Sequence, residues 1–285
     1  MLGGRAATPS MFRQTSGSSL CYSCGKLNRV DADVCFHCGA RRPGLWGFGA
    51  AVGRLAGRLN FARAVTVVCA VAYLASLALS PGSLGRPRGM FDILAPSMPA
   101  LDVLGMTGSY ALGRGRWWTL VTAIYLHASL LHILFNMLWV NQLAPAVEEA
   151  YGIARLVIIF TAGGVAGFVL SDLAGVVFSV GASGAVFGLL GALVFYGRSR
   201  GGVFGLAVFR RYGQWALLLL VFGFFMPGVN NLAHAGGFVG GYLAGLALGH
   251  EARGPERGGL RLAAALTVAL TGVCFALALW SAISP

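Results

Sequence analysis

Two side chains in this sequence have types that could do chemistry together. Ser183 stands in Gly181-Ala182-Ser183-Gly184-Ala185-Val186-Phe187-Gly188, at the head of an apolar helical run, and His234 stands in Asn231-Leu232-Ala233-His234-Ala235-Gly236-Gly237. Polar, ionisable groups at membrane depth are costly, which makes each a functional candidate. Paired, the histidine would act as general base and the serine as nucleophile. No aspartate accompanies them inside the apolar runs, so the expected arrangement is a dyad and not a triad. Gly184 directly follows the serine, so the motif is not the G-x-S-x-G elbow of soluble hydrolases.

A second group lies upstream, where one apolar run carries His127, His132 and Asn136. His132 and Asn136 are four apart and share a helical face. An imidazole and an amide at that depth could donate hydrogen bonds to a tetrahedral oxyanion, joined by the Ser183 backbone N–H, because first-turn helix amides lack an intrahelical partner. Considered singly, each of these polar residues could instead only link helices.

The elements that must position these residues are membrane helices. Hydrophobic residues make up 57% of the 285 positions and charged residues only 11%, with a net charge of +12. Mean hydropathy is +0.75. The basic excess is arginine scattered in loops between apolar runs, a topology signal, and does not form a nucleic-acid patch. Residues 1–19 have no apolar h-region and do not read as a signal peptide. The expected spans are 64–80, 121–143, 156–170, 182–196, a short 215–226, 232–248 and 262–280. Residues 82–118 are expected to dip into the bilayer interface, with Trp117 and Trp118 as anchors.

Arginines in 197–213 and 250–261 mark those loops as cytosolic, so seven spans put the amino terminus in the cytosol and the carboxyl terminus outside. Ser183 and His234 then share a shallow depth on the outside half. Gly184, Gly188 and Gly191 on one helix, and Ala233, Gly237 and Gly241 on the other, would let the two approach backbone to backbone.

Ahead of the spans, Cys21, Cys24, Cys35 and Cys38 form two C-x-x-C hooks, each followed by glycine. Four thiolates in two knuckles suit one structural zinc ion. Two disulfides are the competing reading, and a reducing cytosol favours zinc. His37 could compete as a ligand, although four cysteines already fill a closed site. The expected division is a zinc-ribbon segment at 1–40, a basic linker at 41–63 with Leu45, Trp46 and Phe48 as an interfacial anchor, a six-span core at 64–250, and a loop with a seventh helix at 251–285. Gly272 and Cys274 on that helix could pack against the core.

Gly181-Ala182-Ser183-Gly184 with Gly188, Ala233-His234 with Gly237 and Gly241, and His132-Ile133-Leu134-Phe135-Asn136, in this order, resemble the rhomboid family of intramembrane serine proteases. The resemblance implies an all-α polytopic membrane protein, here a six-helix core plus one C-terminal helix, to which the cysteine hooks add a small zinc ribbon. It implies cleavage of transmembrane protein substrates in or beside their membrane segments through an acyl-enzyme on Ser183, with His234 as base and His132 and Asn136 serving the oxyanion. Catalysis would need no cofactor, and the bilayer and a cytosolic partner of the ribbon would be the other contacts. A bacterial inner membrane is the expected location. Glu148 resembles the family's structural glutamate. Thr119 stands where the family often has an arginine, with Arg116 nearby, and Phe187 stands where some members place a tyrosine against the histidine. Two other readings are a non-catalytic relative that binds membrane clients and a transporter. The presence of both Ser183 and His234 weighs against the first, and the single shallow depth of the polar groups weighs against the second.

Overall fold

The computed structural model describes residues 13–22, 25–49, 60–81, 93–250 and 256–284. The chain divides into two compact units, Met1–Asn60 and Phe61–Pro285. In the first, β1 (Ser18–Leu20) pairs antiparallel with β2 (Leu27–Arg29), Leu20 opposite Leu27. Residues 41–49, expected in the linker, fold with this unit. Arg41 bridges Val34, Tyr22 N–H donates to the Pro43 carbonyl at 3.3 Å, and Leu45–Gly47 form a 3-10 turn. Their polar and glycine-rich composition hid these backbone pairings.

Among the described residues the regular elements of the second unit are helices: α1 (Phe61–Ala78), the short α2 (Met98–Val103), α3 (Ser109–Leu112) and α4 (Thr119–Thr122), then α5 (Leu130–Tyr151), α6 (Ile153–Leu173), α7 (Ser183–Arg200), α8 (Gly202–Phe225), α9 (Asn231–Leu248) and α10 (Gly258–Ile283). By length and composition α1, α5, α6 and α10 are apolar enough to cross a membrane. The protein is a polytopic helical membrane protein. Helix α7 is the bundle's centre, packed by α5, α6, α8 and α9.

Two boundaries differ from expectation. The span expected over 121–143 is broken. α4 and a 3-10 turn at Ala123–Tyr125 come first, Leu126 is extended (φ −91°, ψ 148°), and α5 begins only at Leu130. Ser129 caps α5 by accepting the His132 N–H at 3.3 Å, a signal that the surrounding apolar run obscured. Further on, the loop expected over 197–213 is helix on both sides of a single break. Gly201 and Gly202, both at φ 63°, end α7 and start α8. The four arginines there lie on helix ends and faces.

Residues 93–129 form a packed insert. Leu101, Met106 and Leu126 share a small core. Tyr73 on α1 donates to the Leu94 carbonyl at 2.6 Å. Arg116 grips Asp102 twice, carboxylate and carbonyl both at 2.7 Å. The Thr119 hydroxyl meets that of Thr107 at 3.1 Å, so arginine and threonine brace this insert together. Helix α10 packs on α6, α4 and α2. Its Cys274 is fully buried, and Phe275 lies 5.7 Å from the Tyr125 ring. Gly272 faces open space and does not pack against the core.

Candidate active site

Ser183 is the first residue of α7 and is half-buried. The chain reaches it through a braced approach. Ser179 pairs with Thr107 in a two-residue bridge, and Gly181 N–H donates to the Ala123 carbonyl at 2.9 Å. Gly181 has φ 125°, and a Cβ there would lie 2.7 Å from both Cε1 and Nε2 of His132. Only glycine satisfies both the backbone angle and the imidazole laid against it.

His234 lies in the first turn of α9 and is 7% exposed. Its ring stacks on Phe187, one turn beyond Ser183, with centroids 4.3 Å apart and planes at 15°. Backbone approach makes this possible. A Cβ at Gly184 would lie 3.4 Å from the Ala233 carbonyl, one at Gly237 would lie 2.8 Å from the Gly184 carbonyl carbon, and one at Gly241 would collide with Gly188. A Cβ at Gly188 would lie 2.8 Å from Gly163 Cα on α6 and 3.4 Å from the Gly237 carbonyl oxygen on α9. His234 Nδ1 is buried and has no partner among the described residues. No hydrogen bond joins Ser183 to His234 among them either; ring stacking and glycine contacts hold the two helix heads together.

His132 Nδ1 accepts the Ala128 N–H at 3.3 Å, so in the neutral ring the proton sits on Nε2, on the edge that faces Gly181. Asn136, one turn further along α5 and 5% exposed, donates one amide hydrogen to the His132 carbonyl at 2.9 Å and keeps the other. Both donors belong to the helix whose start borders the serine approach. His127, expected on that same helix, lies before it, fully buried, its ring 5.1 Å from that of His132. Glu148 is exposed on α5. Asn230, outside the sequence motifs, caps α9 by accepting the Ala233 N–H at 3.0 Å. An asparagine just before an apolar run is the sequence signal for such a cap.

The first unit carries a different cluster. Cys21 N–H donates to the Lys26 carbonyl at 2.8 Å and Gly25 N–H to Cys21 at 2.9 Å; Cys35 N–H donates to Ala40 at 2.8 Å and Gly39 N–H to Cys35 at 3.0 Å. The two hooks therefore share one hydrogen-bond pattern, closed by Gly25 at φ 68° and Gly39 at φ 72°. The sulfurs of Cys21, Cys35 and Cys38 lie within 4.8 Å of one another and could hold a metal ion. Cys21 and Cys38 are 3.8 Å apart, which matches the edge of about 3.8 Å for a tetrahedron with zinc–sulfur bonds near 2.3 Å. Cys35 Sγ accepts from Asn28 Nδ2 at 3.2 Å and from His37 N–H at 3.4 Å, bonds that favour a thiolate. Cys24 lies outside the described residues, and His37 is not in the cluster.

The second unit thus defines a class: a polytopic helical membrane protein in which a serine and a histidine head two glycine-lined helices. Residues 114–251 of the chain match the rhomboid domain. It is similar to rhomboid protease GluP of Bacillus subtilis (strain 168), 35% identical over 170 residues, which are 60% of this chain and 33% of that protein. RHOMBOID-like protein 5 of Arabidopsis thaliana is 32% identical over 55% of this chain and 52% of its own length. Rhomboid-like protease 3 of Toxoplasma gondii is 27% identical over 54% and 58%. The chain spans about a third to somewhat over half of these relatives.

Proposed function

We propose that this chain is an intramembrane serine endopeptidase that cuts transmembrane protein substrates within or beside their membrane segments. The observation that carries the reading is the stack of His234 on Phe187, one turn beyond Ser183 at the head of α7. With Nδ1 buried, His234 offers Nε2 to the serine hydroxyl. Ser183 Oγ attacks the scissile carbonyl while its proton passes to His234 Nε2. The oxyanion is met by His132 Nε2–H, by the remaining Asn136 amide hydrogen and by the Ser183 N–H. His234 then protonates the leaving amine, the C–N bond breaks, and an ester on Ser183 remains. Water, deprotonated by His234, hydrolyses that ester and restores the hydroxyl.

Named proteases among the similar proteins support this reading. The arginine distribution supports an amino terminus in the cytosol and a carboxyl terminus outside a bacterial inner membrane. Residues 64–250 form the six-span protease core and 251–285 the added loop and helix. Purified chain in detergent should react with a fluorophosphonate and cleave a reporter transmembrane substrate, and both should be lost in Ser183→Ala and His234→Ala variants that still fold. Labelling that survives in Ser183→Ala would sink the proposal.

The cysteine cluster is assigned to a structural zinc, with Cys24 as the fourth ligand. Bound there, zinc would supply folding energy to a unit that has little apolar core of its own. A ribbon before the first span is suited to recruiting a cytosolic partner. Elemental analysis should give one zinc per chain, lost when Cys35 and Cys38 are both changed to serine; a metal-free wild-type chain with an intact first unit would refute it.

A further inference from the structure

We infer that Asn230 is the positioning residue that sets His234 against Ser183, through a side-chain hydrogen bond to Ser179 on the approach to the nucleophile. The inference rests on the serine–histidine reading above. Asn230 uses its whole amide. Oδ1 accepts the Ala233 N–H at 3.0 Å, and Nδ2 donates to Ser171 Oγ at 2.7 Å and to Ser179 Oγ at 3.0 Å. The orientation of the amide is not arbitrary. Ala233 N–H can only donate, so the atom facing it must be the oxygen, which turns both amide hydrogens toward the two serines.

Placement makes this bond more than a cap. Asn230 precedes His234 by four residues, and Ser179 precedes Ser183 by four. The bond therefore ties the roots of the two turns that present the base and the nucleophile. Both roots are fixed elsewhere. Ser171 belongs to α6 and is 1% exposed. Ser179 is 8% exposed and is bridged to Thr107 by N–H to carbonyl bonds of 2.8 and 3.2 Å. Thr107 in turn meets Thr119 at 3.1 Å. Further down, glycine contacts set how close α7 and α9 approach, but glycines carry no group that fixes sliding or rotation at the heads. A planar amide with three partners does. The neighbouring Asn231 does not share the role: its Oδ1 is buried, has no partner among the described residues and lies against Gly223 on α8.

The test separates the cap from the cross-link. Asn230→Asp keeps an oxygen for the Ala233 N–H but loses both donors, and Ser179→Ala removes the acceptor while leaving the cap and the Ser171 bond. Fluorophosphonate labelling rate, kcat and KM on a transmembrane reporter, and the thermal midpoint are measured on the full chain. Both variants should lose about 10- to 100-fold in labelling rate and kcat, the scale of a small misplacement of reacting groups, with KM within about twofold. Ser179→Thr, which restores a hydroxyl, should recover most of the rate. Wild-type rates in Asn230→Asp and Ser179→Ala would overturn the inference, as would rates that simply track the thermal midpoint or a Ser179→Thr variant no better than alanine. The dyad itself is read separately from wild type against Ser183→Ala. If wild type does not label, both readings fall; if it labels and the Asn230 and Ser179 variants label equally fast, only this one does.

Discussion

Helix α7 carries a serine near a histidine at each of its ends, and the two ends are built in opposite ways. At the far end Ser199 Oγ lies 2.8 Å from His250 Nε2, a formed hydrogen bond, and the imidazole sits edge-on to Tyr196 and Tyr151 at 4.9 and 6.3 Å. At the near end Ser183 and His234 share no hydrogen bond, yet the histidine is more deeply buried and stacked. What separates them is the helix. Its first turn offers backbone N–H groups to a developing negative charge, whereas its last turn offers only carbonyl oxygens, which would repel one. His132 and Asn136 add donors at the near end; Arg198 and Arg200 and a surface-exposed Ser199 mark the other. A close serine–histidine contact is therefore not what makes a candidate site; the direction of the peptide dipoles around it is.

The largest difference is expected between the two serines: Ser183→Ala should lower cleavage by at least about 10³-fold, while Ser199→Ala stays within about twofold. Equal losses would erase the distinction. Next come the donors. His132→Ala and Asn136→Ala should each cost roughly 10² in kcat, and Tyr196→Phe at the other end should cost nothing measurable in the same assay. Removing the ring that stacks on His234, in Phe187→Ala, should lower kcat by about threefold to tenfold, the scale of one aromatic contact.

The smallest effect concerns pH. Burial, then the nearby Arg200 and Arg155, hold the His250 imidazole below its ordinary value. The fold thus favours neutral His250, so its contribution is present above about pH 6.5, the ordinary value, and fades as pH falls through and below it. A slight acid-side drop in thermal midpoint, absent in His250→Gln, is the expected result; an unchanged drop in that variant would assign it to another group.

Much of this was legible from residue types. Ser183, His234, His132 and Asn136 stand out because each interrupts an apolar run, and the glycines at helical spacing foretold how closely α7 and α9 meet. Other features were not. The break at 126–129 lies inside a run whose hydropathy looks continuous, and it moved His127 off the helix and into a sealed position. Asn230 stands in none of the motifs, because its side-chain partners are Ser171 and Ser179, 59 and 51 positions away. Nothing local in a sequence reports a partner so distant. The extension of the first unit past residue 40 likewise rests on backbone bonds that residue types do not display.

The crossing of α6, α7 and α9 has one further consequence. Where Gly163 meets Gly188, and Gly188 and Gly184 meet Gly241 and Gly237, the middle of the bundle is main chain against main chain. Such a centre has no rotamers. It cannot absorb a disturbance by turning a side chain, as an ordinary core does, and no side-chain entropy was surrendered in forming it. Heat or a bulky substitution at this crossing should act all or none, parting the helices or leaving them as they are, so the geometry above it is inherited from a joint with very little give.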